Sequence, residues 1–146
     1  MDIRFCPGLI ESLKQLAKEN QGERKRGFTR KVLEMLKLPK RDHCYYKGRI
    51  TSAQLIEVAK LLPDLNLNDR QNFGPTVRDF VEVAKREPRA QFEVYVITEP
   101  RDDERFTVEG VWIPSDRQDL IEFILRQGGY PEEVIKSKNY IGIWWD

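Results

Sequence analysis

The chain has 146 residues, a formal net charge of +1, 40% hydrophobic and 34% charged residues. A unit of this size buries roughly two thirds of its unfolded surface and needs no disulfide or metal to hold it, and the composition is too apolar for a disordered chain. No apolar run reaches bilayer-spanning length, no basic leader precedes an apolar stretch, and Cys6 and Cys44 make no disulfide framework, so a cytoplasmic setting with reduced thiols is expected.

Leu9, Ile10, Leu13, Leu16 and Ala17 fall on one face of a helix that starts near Pro7-Gly8 and ends before Gly22. Gln21–Gly27 (Q-G-E-R-K-R-G) then sets Arg24, Lys25 and Arg26 between two glycines, the composition of an exposed loop. A second helix is expected from Thr29, a good N-cap, with Phe28 and Leu33 as a hydrophobic staple. Val32, Met35 and Leu36 continue its apolar face, and Pro39 ends it. Residues 39–49 read as irregular or as a short extended piece. Thr51 with Gln54 forms a capping box and Ile50 with Leu55 a staple, so a third helix begins there, buries Leu55, Ile56, Ala59 and Leu62, and stops at Pro63. Pro63–Gly74 is a connection packed by Leu65 and Leu67. A fourth helix opens at Pro75-Thr76, buries Val77, Phe80, Val81 and Ala84, and closes at Pro88.

The clearest two-residue alternation lies in Phe92–Pro114, a hairpin with a charged tip. Phe92, Val94 and Val96 point one way and Tyr95 and Ile97 the other. On the return strand Phe106, Val108 and Trp112 alternate with Val111 and Ile113, and Gly110 marks a bulge or a close backbone approach. Ser115 with Gln118 reads as a capping box for a helix that buries Leu120, Ile121, Ile124 and Leu125 and ends at Gly128-Gly129. Pro131-Glu132-Glu133 opens a short helix whose early acids and late Lys136 and Lys138 suit the helix dipole. Asn139–Trp145 forms a last strand, on which consecutive tryptophans face opposite ways, leaving either Trp144 or Trp145 near the surface.

This order predicts an α+β fold. An N-terminal helical subdomain of about four helices (residues 1–88) precedes a small, mostly antiparallel sheet of hairpin and C-terminal strand with one or two helices (residues 89–146), the two forming one compact unit.

Charge is unevenly distributed. Residues 22–49 carry ten Lys or Arg against three acids, whereas residues 50–146 carry twelve against eighteen. The basic stretch Arg24, Lys25, Arg26, Arg30, Lys31, Lys37, Lys40, Arg41, Lys47 and Arg49, with Tyr45 and Tyr46 interleaved, suits nucleic acid: cations displace phosphate counterions and tyrosines stack on bases. The same residues also fit a solvated helix face, docking within the chain, or an acidic protein partner. The element order helix, helix, helix, hairpin matches a winged helix. However, Thr76–Glu87 balances Arg78, Lys85 and Arg86 against Asp79, Glu82 and Glu87, and its connections are too long for a helix-turn-helix.

The hairpin tip, Arg101, Asp102, Asp103, Glu104 and Arg105, lacks the spaced acids and central glycine of a calcium loop and reads as a turn, or as a recognition point for a protein partner. His43 and Cys44, adjacent and with only Cys6 to join them, fall short of a zinc set, and no P-loop, dinucleotide-binding glycine pattern or nucleophile elbow is present. The sequence therefore predicts a non-enzymatic binding protein without metal, cofactor or membrane partner. Its basic segment would take nucleic acid; the alternative is an inhibitor or adaptor module acting through its acidic half and hairpin tip.

Overall fold

Residues 26–145 are described in a computed structural model. The helix expected between Pro7 and Gly22, together with Cys6, Arg24 and Lys25, lies outside the described residues.

Helix α1 (Phe28–Leu36) buries Phe28, Val32 and Leu36. Strands β1 (Lys40–Asp42) and β2 (Tyr45–Thr51) follow, then α2 (Ser52–Leu61), a 3₁₀ turn over Asp64–Asn68, and α3 (Val77–Arg86). The expected hairpin is β3 (Gln91–Ile97) and β4 (Arg105–Pro114); after it come α4 (Gln118–Gln127), β5 (Glu133–Lys136) and β6 (Tyr140–Trp144). The strands make one antiparallel sheet in the order β1-β2-β3-β4-β6-β5, so the protein is α+β. Among the described residues all four α-helices cover the same face. Ile50, Phe92, Val94, Val96, Phe106, Val108, Val111, Ile113 and Ile143 point into it and meet Val32, Leu55, Val58, Phe80 and Ile124. No described helix is long and apolar enough to cross a membrane.

Two helix starts follow the local code. Thr51 caps α2 and Thr76 caps α3, each in a reciprocal box, with Gln54 and Asp79 respectively. Elsewhere tertiary structure overrides it. Thr29 is not the cap of α1. Gly27 holds that position with φ of 86°, a left-handed conformation open to glycine, and the capping carboxylate comes from Glu104, more than seventy residues away in sequence. Ser115 does not cap α4. The chain turns once more, Arg117 N donating to Pro114 O at 2.9 Å, and Arg117 becomes the N-cap.

Residues 39–49 are not irregular. Their polar composition hides two strands, because β2 pairs with β3 over seven positions, from Tyr45 opposite Ile97 to Thr51 opposite Gln91. Ile50 is thus a core strand residue opposite Phe92. The sheet consequently runs without a break across the expected boundary at residue 88. The short helix expected from Pro131 is instead β5. Four residues gain little from a dipole but gain a ladder from β6, with Glu133 opposite Trp144 and Lys136 opposite Ile141. Leu125 and Met35, expected in the core, are exposed.

The bulge foreseen at Gly110 is present. Glu93 pairs with Gly110 and Val94 with Val108, so Glu109 is the extra residue. Its consequence reverses the expected faces beyond it: Val111 and Ile113 join Phe106 and Val108 on the helix side, and Trp112 turns to the other face. Gly110 itself lies under the Trp144 ring, where a Cβ would stand 2.8 Å from Nε1. Of the two terminal tryptophans, Trp145 is buried against Phe80 and Trp144 is half-buried.

Candidate functional site

The two stretches singled out by charge meet each other at the N-terminus of α1. Gly27 N donates to Glu104 Oε1 at 2.7 Å, and Thr29 donates to Glu104 Oε2 through both its N–H (3.3 Å) and its hydroxyl (2.6 Å). Glu104 thereby satisfies backbone donors that no preceding turn can satisfy, and its negative charge suits the positive end of the helix. Arg26 completes the lock. Its Nε donates to Glu104 Oε1 at 3.2 Å, and its terminal nitrogens donate to the carbonyls of Glu99, Arg101 and Asp102. Arg30 pairs with Glu99. Within the tip, Arg101 and Arg105 both bond Asp103, at 2.8 and 2.7 Å. Burial pushes the Asp103 carboxyl up, but the Arg105 hydrogen bond and the Arg101 charge outweigh it and leave the group below its ordinary value. The tip is therefore a structural clamp on α1, with Glu104 buried inside it.

Lys47 and Arg49 belong to a second locus, the sheet face opposite the helices. Ladder parity places Tyr45, Lys47 and Arg49 of β2 there, beside Glu93, Tyr95 and Ile97 of β3, Arg105, Thr107 and Trp112 of β4, and Trp144 of β6. Lys47 reaches Glu109 at 2.6 Å and Arg49 reaches Glu93 at 2.7 Å. The aromatic rings cluster in two pairs. Tyr45 and Tyr95 lie 4.3 Å apart with planes inclined at 31°, and Trp112 meets Trp144 edge-on at 5.1 Å. Arg105 stands over Tyr95 at 5.6 Å and Arg49 over Trp112 at 5.3 Å, both within cation–π range. No described helix covers this face, yet Ile97, Thr107 and Glu109 on it are buried, while the four rings are half-buried.

The expected basic cluster thus separates into three parts. Arg26 and Arg30 are bound to the tip, and Lys47 and Arg49 are paired with acids of neighbouring strands. Lys31, Lys37, Lys40 and Arg41 form the third part: all four are exposed, and none makes an ion pair or a side-chain hydrogen bond among the described residues. Lys37 ends α1 in the left-handed conformation, with φ of 53°, and Lys40 and Arg41 lie on the edge strand β1. Burial raises the Tyr45 hydroxyl above its ordinary value of 10 against the Lys47 charge and, more weakly, the Arg41 charge, so the ring is a neutral phenol near pH 7. Tyr46, next in sequence, points to the helix side and packs on the core. His43 is exposed and Cys44 half-buried.

Tyr95, Trp112, Trp144 and Arg105 complete the aromatic face but were not part of the basic segment. The alternation of β3 already assigns Tyr95 to the face opposite Phe92, Val94 and Val96. Trp112 is legible only once the bulge at Gly110 shifts the phase.

These features define an α+β protein with one sheet face sealed by helices and the other carrying paired aromatics beside a cationic edge. Comparison with protein-family models, with curated proteins and with solved structures returns no match for the chain.

Proposed function

We propose that the protein binds single-stranded nucleic acid with little sequence reading, its phosphates along the edge formed by Lys31, Lys37, Lys40 and Arg41 and its bases against the Tyr45–Tyr95 pair. The observation that supports this reading is the pairing of edge strand β1, which carries the exposed Lys40 and Arg41, with the Tyr45–Tyr46 end of β2. It sets cations that have no side-chain partner among the described residues beside the Tyr45–Tyr95 pair, whose rings need no particular base, because every base offers a flat face. The backbone at Lys37 adds weight. A lysine in the left-handed region costs about 1 kcal/mol relative to glycine, a cost that a positioned cation would explain.

Titrating a labelled single-stranded homopolymer by fluorescence anisotropy at several salt concentrations tests the reading. On single strands each neutralised phosphate contributes about −0.7 to the slope of log affinity against log salt, so engagement of all four cations gives a slope of about −3. Reversing Lys37, Lys40 and Arg41 to Glu together removes the binding. Tyr95→Ala weakens it about tenfold and leaves the slope unchanged, since stacking contributes about 1–3 kcal/mol per base and releases no ions. Lys37→Gly stabilises the fold by about 0.5–1 kcal/mol while flattening the slope. Undiminished affinity in the triple reversal would end this reading.

A further inference from the structure

The four described helices account for burial on only one face of the sheet. On the other face Ile97 is 1% exposed, Thr107 is fully buried and Glu109 is 1% exposed, and Ile97 is not among the core side chains beneath the helices. Neighbours in the ladder explain part of this. Tyr45 and Arg105 flank Ile97, Thr107 Oγ1 donates to Gln71 Oε1 at 3.1 Å, and Lys47 reaches Glu109. Ladder neighbours stand beside a side chain, however, and leave its outer end open to water, as they do for the half-buried Tyr45, Tyr95, Trp112 and Trp144. Near-zero exposure on the two central strands requires an element above them.

We infer that residues 8–21 of this same chain, which lie outside the described residues, dock across this face and cover it. Their sequence sets Leu9, Ile10, Leu13, Leu16 and Ala17 along one stripe of a helix, with Glu11, Lys14, Lys18 and Glu19 away from it. Such a stripe gains most of its stability by burial against another apolar surface. The helix side of the sheet is already filled by the described helices. A rival surface lies beside β5, but there Phe73, Tyr130 and Val134 stand 81%, 99% and 55% exposed, whereas the face of Ile97 is withdrawn from water.

The point at which the chain enters the described fold supports the same occupant. Arg26 is fixed to the hairpin tip through the carbonyls of Glu99, Arg101 and Asp102, and the tip continues directly from Ile97 and Arg105, which stand opposite each other. Residues 22–25 can span up to about 14 Å, enough to bring residue 21 from the tip onto this face. A helix over 8–21 is about 21 Å long, close to the roughly 23 Å of the seven-residue strand β3, so it can run from Ile97 toward Trp112. The docking does not rest on the nucleic-acid reading. Where both hold, the segment and the bases compete for the face of Tyr45 and Tyr95.

Thiol accessibility reads the cover directly, with no nucleic acid present. In the whole 146-residue chain with Cys6→Ser and Cys44→Ser, a single cysteine is placed on β3 either by Ile97→Cys, facing the docked segment, or by Val96→Cys, facing the helices. Both thiols are expected to react with a small thiol reagent about a hundredfold more slowly than a free thiol. Adding Leu13→Asp with Leu16→Asp puts charge into the apolar stripe. It is expected to speed the reaction at Ile97→Cys about tenfold or more while Val96→Cys stays protected, since the helix-side core is untouched. A thiol at Ile97→Cys that reacts freely without the aspartates, or whose protection they leave unchanged, overturns the proposal. So does equal loss of protection at both positions, which would make residues 8–21 part of the helix-side core.

Discussion

Among the described residues three glutamates are withdrawn from water, and each holds a cation: Glu87 with Arg89, two residues on, and with Arg117, Glu104 with Arg26, and Glu109 with Lys47. Removing one partner of such a pair leaves a desolvated charge behind, so these contacts are costly to break whatever their net worth when whole. Glu87 shows the consequence for acid stability. The Arg89 side chain bonds it at 2.9 Å, its own burial opposes ionisation, and the Arg89 N–H and Arg117 add further donors, together taking its pKa from 4.5 to about 2. Because the folded value lies below the unfolded one, the stabilisation is complete above about pH 5 and falls away as the pH drops from 4.5 toward 2. Its size is on the order of 1–3 kcal/mol once screening around the half-exposed Arg89 is allowed for. Glu87→Gln should therefore lower stability to denaturant at pH 7 and narrow the gap between pH 7 and pH 3 by roughly half that amount, since a carboxylate with a folded pKa of about 2 is still mostly ionised at pH 3. An equal loss at both pH values would assign the role of Glu87 to packing instead of charge.

At the scale of elements, the legible parts were those whose signals are local. The capping boxes at Thr51 and Thr76, the core stripe of α3, and the alternation of β3 follow from residues within a turn or two of one another, whereas in α2 the stripe is shifted, Val58 being buried and Ile56 and Ala59 half-buried. The illegible parts draw their partners from far away. Nothing near Thr29 announces that Glu104 caps α1, and nothing in Lys47-Gly48-Arg49 announces a ladder with Glu93–Tyr95. For the candidate site, the cations were legible by composition, but which of them have partners was decided by strands and a tip distant in sequence. The bulge lies between these cases: Gly110 signalled it, yet its effect on Trp112 depends on a whole strand changing phase. That glycine carries a testable role. With a Cβ facing the Trp144 ring at 2.8–2.9 Å, Gly110→Ala must displace the indole or the strand, and overpacking of this kind costs about 1–3 kcal/mol. Trp144 emission should shift as the ring leaves its edge-on contact with Trp112. An unchanged spectrum and midpoint would mean that the ring yields without cost.

The whole molecule is tied across its midpoint in a way that composition alone does not suggest. The chain's basic and acidic parts neutralise each other locally, through Arg26 and Arg30 at the hairpin tip and through Lys47 and Arg49 on the sheet. The covalent order of helices before hairpin does not correspond to two layers built in turn. Strand β2 completes the sheet that α2 and α3 cover, and Phe80 of α3 packs edge-on against both Phe92 of β3 and Trp145 beyond β6. Residues before and after position 88 therefore share one core, and a fragment comprising 89–146 would expose the face of Phe92, Val94, Val96, Phe106 and Val108 that α1–α3 bury. Such a core predicts a single cooperative transition. The tryptophans, all between positions 112 and 145, report the part after residue 88 by fluorescence, while three of the four described helices lie before residue 88 and dominate the helical circular-dichroism signal. Urea unfolding followed by the two probes should give coincident curves, and the isolated 89–146 fragment should show no cooperative transition. Two separated midpoints, or a folded fragment, would instead mean that the sheet divides between β2 and β3 and that the clamp at Glu104 joins two independently stable parts.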